Sequence, residues 1–427
     1  MKKILFIFIL IVISFYNTYA KDISYSLNKY DDEIFNYIEK AYNEELKEDG
    51  YVLGGNILKE KIEIGDNTYN DYQVLLVKYN KEDKLVWKYM YGNTSEDYIN
   101  SLTYTYNEEG NIDGYLIVTN ETYDINEPNI GGNSVIIKIN FDGKVVFERR
   151  IDEGSIKKII PVSNNEGNID GYISILDTQT GSSLIKYSKD FEVISRRDFN
   201  DNTISDLTVI RKENNLVGYA IIFGNNLITV DLGLANDIVV NDLSKYKTYN
   251  LAEANEGFIL YGITSEVKLN KGDSSYYLIN YSDNNELWET IGDTPASFKG
   301  KVILLPIIKD KIKEYFLLYE NEVDSSFEVI KINLEGEVLK KVKKINNGYY
   351  NFKNFYSTGT TIYFVGQINC PLDESCEYDN NSLYLVSDED KVIEVKDDTS
   401  RNVIIVFSVV LIILAVGLII IRKRIKK

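Results

Sequence analysis

Between residues 72 and 118 the chain reads YQVLLVKYNKEDKLVWKYMYGNTSEDYINSLTYTYNEEGNIDGYLIV. Four short apolar runs, at 74–79, 85–91, 99–106 and 115–118, are separated by polar turns. Tyr, Val, Ile and Thr dominate the runs, a pattern that predicts consecutive antiparallel strands. The same four-run unit recurs at 99–150, 159–199, 248–291 and 302–342. A shorter fourth unit ends near 238–243, and a seventh runs from 352 to about 395. At the other end, 31–48 fits a helix by composition. Set beside 85–107, it reads instead as strands around a unit boundary.

A glycine followed by an aromatic opens most second strands: Gly50-Tyr51, Gly114-Tyr115, Gly171-Tyr172, Gly218-Tyr219 and Gly257-Phe258. Glu314-Tyr315 and Ile362-Tyr363 are weaker copies. A four-stranded unit repeated at this scale predicts a propeller. The second and third strands are nearly continuous in apolar residues, as in Val74-Leu75-Leu76-Val77, which requires cover on both faces. The expected fold is therefore all-β: a β-propeller of seven four-stranded antiparallel blades, with six or eight as alternatives, plus one C-terminal transmembrane helix. Residues 23–27 are expected to complete the last blade and clasp the ring.

Turn chemistry agrees. The links Asn140-Phe141-Asp142-Gly143-Lys144 and Asn333-Leu334-Glu335-Gly336-Glu337 place a glycine where a short hairpin needs positive φ. The segments 109–115 and 166–172 are identical, EGNIDGY, and suit hairpin turns better than a twelve-residue calcium loop. Pro161 and Pro306 fall in first strands, as edge prolines do. The basic pairs Arg149-Arg150, Arg196-Arg197 and Lys340-Lys341 fall on fourth strands. There they protect outer edges, or else form an anion site.

The ends carry different signals. Residues 1–20 combine Lys2 and Lys3, an apolar stretch and a closing Thr18-Tyr19-Ala20, which reads as a signal peptide. Residues 403–421 are nineteen positions without a charge, sixteen of them Val, Ile, Leu or Phe. Arg422, Lys423, Arg424, Lys426 and Lys427 follow. This predicts one span over 402–421 with a basic cytoplasmic tail at 422–427 and a propeller at 21–398 outside the membrane. The formal charge is −18; without the seven basic charges of the leader start and the tail, −25 remains. So acidic an ectodomain excludes nucleic acid as a partner. The chain has no His, the commonest acid/base and metal-ligand side chain. Its two cysteines, Cys370 and Cys376, read as a local disulfide in an exported protein. No catalytic, cofactor-binding or metal-ligating set stands out.

The run Val74-Leu75-Leu76-Val77-Lys78-Tyr79, then Leu85-Val86-Trp87, Gly92, Glu96-Asp97-Tyr98 and Gly114-Tyr115, resembles the bacterial surface β-propeller repeat called SBBP. Looser copies are Ile137-Lys138-Ile139-Asn140, Ile185-Lys186-Tyr187 and Ile330-Lys331-Ile332-Asn333. The resemblance implies a secreted or surface-tethered propeller without common catalytic residues. Quinoprotein propellers, with a docking Trp in each last strand, are a rival likeness to which only Trp87 and Trp288 correspond. The C-terminal anchor resembles a cell-wall sorting tail without its Leu-Pro-x-Thr-Gly motif, which implies retention in the membrane. The expected role is a non-catalytic, membrane-anchored binding or scaffold protein recognising a protein or glycan. The alternative is an extracytoplasmic propeller enzyme, glycan-active or quinoprotein-like. Recognition is expected in the long second-to-third-strand loops at 56–72, 120–133, 264–274 and 369–381.

The topology is checked by adding protease to intact cells. The propeller should be digested and the basic tail protected; a protected propeller means the opposite orientation.

Overall fold

A computed structural model describes residues 33–388 except 65–66, 83, 93–94, 125–131, 164–168, 214, 265–274, 294–301, 309–311, 322–325, 346–348, 358–360, 370–381. The leader, the cysteine pair, the proposed clasp at 23–27 and the membrane span lie outside the described residues.

Blade 1 comprises β1 (Glu33–Tyr42), β2 (Glu48–Ile64), β3 (Asn67–Tyr79) and β4 (Leu85–Tyr91). Blade 2 comprises β5 (Ser95–Tyr106), β6 (Ile112–Asp124), β7 (Asn133–Ile139) and β8 (Val145–Ile151). Blade 3 has β9 (Ser155–Ser163), β10 (Ile169–Thr178), β11 (Gly181–Tyr187) and β12 (Val193–Asn200). Blade 4 has β13 (Ile204–Lys212), β14 (Asn215–Phe223), β15 (Asn226–Asp231) and β16 (Asp237–Asp242). Blade 5 holds β17 (Tyr246–Glu253), β18 (Phe258–Thr264), β19 (Ser275–Ser282) and β20 (Asn285–Asp293). Blade 6 holds β21 (Val302–Ile308), β22 (Ile312–Asn321), β23 (Ser326–Ile332) and β24 (Val338–Ile345). The last sheet shows β25 (Tyr349–Ser357), β26 (Thr361–Asn369) and β27 (Ser382–Asp388). Each sheet is a simple antiparallel meander, six of four strands and one of three among the described residues. The stretch that fits a helix by composition is strand β1.

Each first strand touches the first strand of the next sheet, and β1 touches β25. Seven sheets therefore stand in a ring around their first strands. Among the described residues the first and last sheets meet by packing: Val365 of β26 sits in one core with Phe35, Ile38 and Leu53. Burial follows this order. Every side chain of β18 is buried, whereas the outer strands β4 and β8 expose alternate positions. Middle strands are covered by blades on both faces, so they read as continuous apolar runs.

The Gly-aromatic pair has a steric cause. A Cβ at Gly50, Gly114, Gly171, Gly218 or Gly257 would collide with a carbonyl of the third strand in the same blade. The aromatic that follows is buried between blades: Tyr51, Tyr115, Tyr172, Tyr219 and Phe258 are all at most 2% exposed. Two of these phenols reach the preceding blade. The Tyr115 hydroxyl accepts from the Tyr42 amide at 3.2 Å, and Tyr172 donates to the Tyr104 carbonyl at 3.5 Å. The lysine of the third strand is explained as well. Lys78, Lys138 and Lys331 pair with Asp49, Asp113 and Glu314, each at the start of the second strand, at 3.3, 2.6 and 2.7 Å.

One five-residue turn is used repeatedly. Its first residue accepts backbone N–H groups two and four positions on, as Asn43, Asn80, Asn140, Ser188 and Asn333 do. The Asn side chains thus cap turns, as hairpin chemistry requires. The fourth position is left-handed: Gly143 and Gly336 at φ 81° and 84°, but also Leu46 and Phe191 at 57° and 62°; Leu234, in the one-residue-longer turn from Asp231 to Asn236, is at 60°. A non-glycine residue is strained there by roughly 1 kcal/mol. Phe191 offsets the cost by stacking on Tyr172 and Phe147 across the blade junction, at 4.8 and 5.2 Å.

Blades are clamped at both radii. At the rim, fourth-strand side chains donate to carbonyls in the next blade's turn. Trp87 reaches Phe141 at 2.8 Å, Arg149 reaches Phe191 at 2.7 Å, Arg197 reaches Leu234 at 3.3 Å, and Thr290 reaches Gly336. Docking thus follows the tryptophan pattern with mixed chemistry. Arg149 and Arg197 therefore clamp junctions, while Arg150 pairs with Glu121 and Asp152, Arg196 with Glu153 and Asp198, and Arg197 also with Asp237. At the centre, Tyr37 donates to the Asn100 carbonyl, Asn100 to Ile156, and Asn255 to Ile312, each in the next blade, at 2.6, 3.0 and 2.7 Å.

Tyr115→Phe should lower stability by about 1–2 kcal/mol, because the Tyr42 amide loses its acceptor. Gly114→Ala should cost about 3 kcal/mol, since strand β7 must move. Gly233→Ala, where only Asp231 approaches the new Cβ, at 3.6 Å, serves as the neutral control in urea unfolding of the full-length chain.

Candidate recognition face and central channel

The two faces of the ring are built differently. First-to-second and third-to-fourth strand links emerge on one face, and none exceeds five residues. Second-to-third strand links emerge on the other. There β10–β11 and β14–β15 turn in two residues, but longer links follow β6, β18 and β26. The expected loop at 56–72 is a correction: it is paired backbone. Strands β2 and β3 stay in register from Ile57↔Gln73 out to Ile64↔Asn67, with one irregularity between Leu58 and Glu60. Among the described residues, β1 pairs with β2 as far as Glu33↔Ile57 and β4 with β3 as far as Val74↔Tyr91, and beyond these β2 and β3 pair with each other as a two-stranded arm. Alternation of Ile62, Ile64 and Tyr69 with polar residues gives the arm strand character. Of the other expected loops, 120–124, 132–133, Thr264 and Asn369 fall within the described residues.

Where the arm meets blade 2, a polar seam fills the junction. Tyr72 of the arm packs on Tyr98 with ring centres 5.7 Å apart. Asn56 donates to the Asp97 carbonyl at 2.6 Å. Lys59 pairs with the buried Asp71 at 3.3 Å. Burial raises the Asp71 carboxyl above its ordinary range, and Lys59 pulls it partly back. Glu121 is held by Arg150 at 2.6 Å, and Ser134 joins Asn120 to the Ile156 amide of blade 3. Gly92 is needed here, since a Cβ would stand 2.7 Å from an Asp97 carboxylate oxygen. The glycine and acidic pair of the repeat resemblance are therefore parts of a blade junction.

The channel is edged by first-strand residues. Lys158 pairs with Asp206 at 2.6 Å, and the same carboxylate accepts from the Leu251 amide at 2.6 Å. Arg211 binds Glu253 and donates to Ser163 at 3.0 Å, joining three blades. Glu39 differs, since its partner is the Tyr104 phenol and its surroundings include Tyr42 and Tyr106. Burial among these side chains pushes its carboxyl up to about 7, against the opposing pull of the Tyr104 hydrogen bond and Lys40. It is thus a proton carrier near neutrality, held at a blade junction. Sequence reading passes over Glu39 because no motif surrounds it. The only signal was an acid between the buried Ile38 and Ala41 of β1. Among the described residues no cluster of three metal-ligating side chains occurs. No described helix is long and apolar enough to cross a membrane. Cys370 and Cys376 lie outside the described residues.

No known family profile matches this chain, and no curated protein does. Solved structures do. Sqt1 of Saccharomyces cerevisiae is similar at 9% identity over 86% of this chain and 99% of that one, with a TM-score of 0.45. The β-propeller domain of the Trilobed protease from Pyrococcus furiosus, described as having an open velcro topology, is 11% identical over 89% and 97%, at 0.44. A prolyl endopeptidase is 11% identical over 84% of this chain and 50% of its own, at 0.45.

Raised titration at Glu39 has a definite sign. The folded chain binds this proton more tightly than the unfolded chain, so stability falls as pH rises from about 4.5 to about 7. Below that window there is no penalty; above it the penalty is full, at most about 3 kcal/mol. Glu39→Gln should match wild type at pH 4 and exceed it at pH 8 in parallel urea titrations. Equal stability at both pH values would contradict the assignment.

Proposed function

We propose that this chain is a non-catalytic, membrane-anchored recognition module, exported and held by the span at 402–421. Its recognition surface is the face of second-to-third strand links, and its ligand is a protein or a glycan. The observation that carries this reading is the asymmetry of the faces: uniform turns on one side, and on the other a projecting arm and long links. Loops and hairpins on a rigid scaffold are free to vary without cost to the core, which suits them to binding. The arm presents Lys59, Glu60 and Lys61 to solvent. Such polar side chains suit hydrogen bonding to a protein surface or to sugar hydroxyls. The surface-propeller repeat belongs to the same proposal, as does a disulfide between Cys370 and Cys376 within the last of these links.

The test is to replace 59–71 by an Asn-Gly turn, and to shorten the links at 125–131, 265–274 and 370–381 one at a time. Each variant is displayed as the full-length chain and assayed for adhesion and for binding to arrayed glycans and cell-surface proteins. At least one shortened variant should keep its unfolding midpoint and lose a ligand. If all four keep every ligand, recognition lies on another surface.

A further inference from the structure

The opposite face carries a cleft that the proposed recognition surface does not use. We propose that it binds a cationic side chain on an aliphatic stem, a lysine or arginine from a basic segment of a partner protein. The cleft lies at the junction of blades 1 and 2 and encloses about 330 Å³. Glu44 and Leu46 line it from the β1–β2 turn, Ile112 and Asp113 from the start of β6, and Phe141 and Asp142 from the β7–β8 turn. Three carboxylates and three apolar side chains thus share one opening.

The charges are only partly compensated. Lys138 holds one oxygen of Asp113 at 2.6 Å, while the other, Oδ1, is buried with no hydrogen-bond donor. The side chains of Glu44 and Asp142 make no ion pair among the described residues. Oδ1 is closed to solvent, so an entering N–H group meets the exposed carboxylates of Glu44 and Asp142 instead. The apolar half of the lining selects among cations. Leu46 is 41% exposed, and methylene groups of a long basic side chain would cover it. A hard divalent ion has no use for such a wall, since it requires oxygen on most sides.

The walls are fixed in advance. Trp87 donates to the Phe141 carbonyl, and its ring lies against Gly143, so the β7–β8 turn is pinned to blade 1. Lys189 of blade 3 donates to the Asn107 and Glu108 carbonyls at 3.1 and 2.8 Å, pinning the β5–β6 turn. A preformed site loses little freedom on binding.

The probe is a fluorescent hexalysine peptide, titrated into the purified full-length chain at low salt, with its fully acetylated counterpart alongside. Glu44→Gln with Asp142→Asn removes two exposed turn charges. Glu335→Gln with Glu337→Gln removes two from the corresponding turn of blade 6 and controls for net charge. Thermal unfolding establishes that both variants fold. The cleft variant should bind hexalysine about fivefold more weakly than wild type or worse, as two lost exposed ion pairs predict, and the control variant within about twofold of wild type. Equal weakening in both variants would show that only bulk charge attracts the peptide and would overturn the site. So would undiminished binding of the acetylated peptide.

Discussion

The close approach of second and third strands at each Gly-aromatic pair is the constraint on which this ring depends. With no Cβ in the way, the third-strand carbonyl moves in over the glycine, and the next side chain is driven into the blade junction. There a tyrosine or phenylalanine is buried from solvent almost completely. Each buried aromatic removes on the order of 200 Å² from water, the largest apolar contribution any one residue makes to a junction. The phenols of Tyr115 and Tyr172 find partners on the backbone of the blade before, while the Tyr219 hydroxyl is buried without one. The same residue thus supplies burial, spacing and direction around the ring.

Other repeated features serve that junction. The third-strand lysine neutralises the carboxylate beside the glycine. The five-residue turn presents a carbonyl to the neighbouring outer strand, and indole, guanidinium or hydroxyl donors meet it interchangeably. The requirement is for an N–H or O–H at the right radius, so the side chain that supplies it varies. Strain at Leu46, Phe191 and Leu234 is tolerated because the turn geometry is needed whichever residue occupies it. Between the first and last sheets the described residues meet in the same way, Val365 packing against Phe35 and Ile38.

The two faces of the ring differ as a consequence. One face holds the clamping turns and cannot lengthen without loosening the ring. The other is constrained only by the strand ends, so insertions and the β2–β3 arm collect there. Glu39 stands apart from both, a carboxyl enclosed by tyrosines where two first strands meet. Its proton ties the stability of the inner ring to pH.

The repeat, the strand count per blade and the turn positions were legible in the sequence, because they depend on periods of two and on glycine, both local properties. The prolines of Pro161 and Pro306 marked first strands for the same reason. The strands at 31–48 were legible by comparison with 85–107, although the composition also suits a helix. Two matters were decided only by tertiary structure. The residues at 56–72 look like a polar loop, yet Tyr69–Asn70 and Lys61–Ile62 pair across the arm. The arginines of β8 and β12 look like edge charges, yet they reach carboxylates and carbonyls some 40 residues away in the chain. In each case the partner comes from a distant part of the sequence, and no local pattern encodes where that partner will stand.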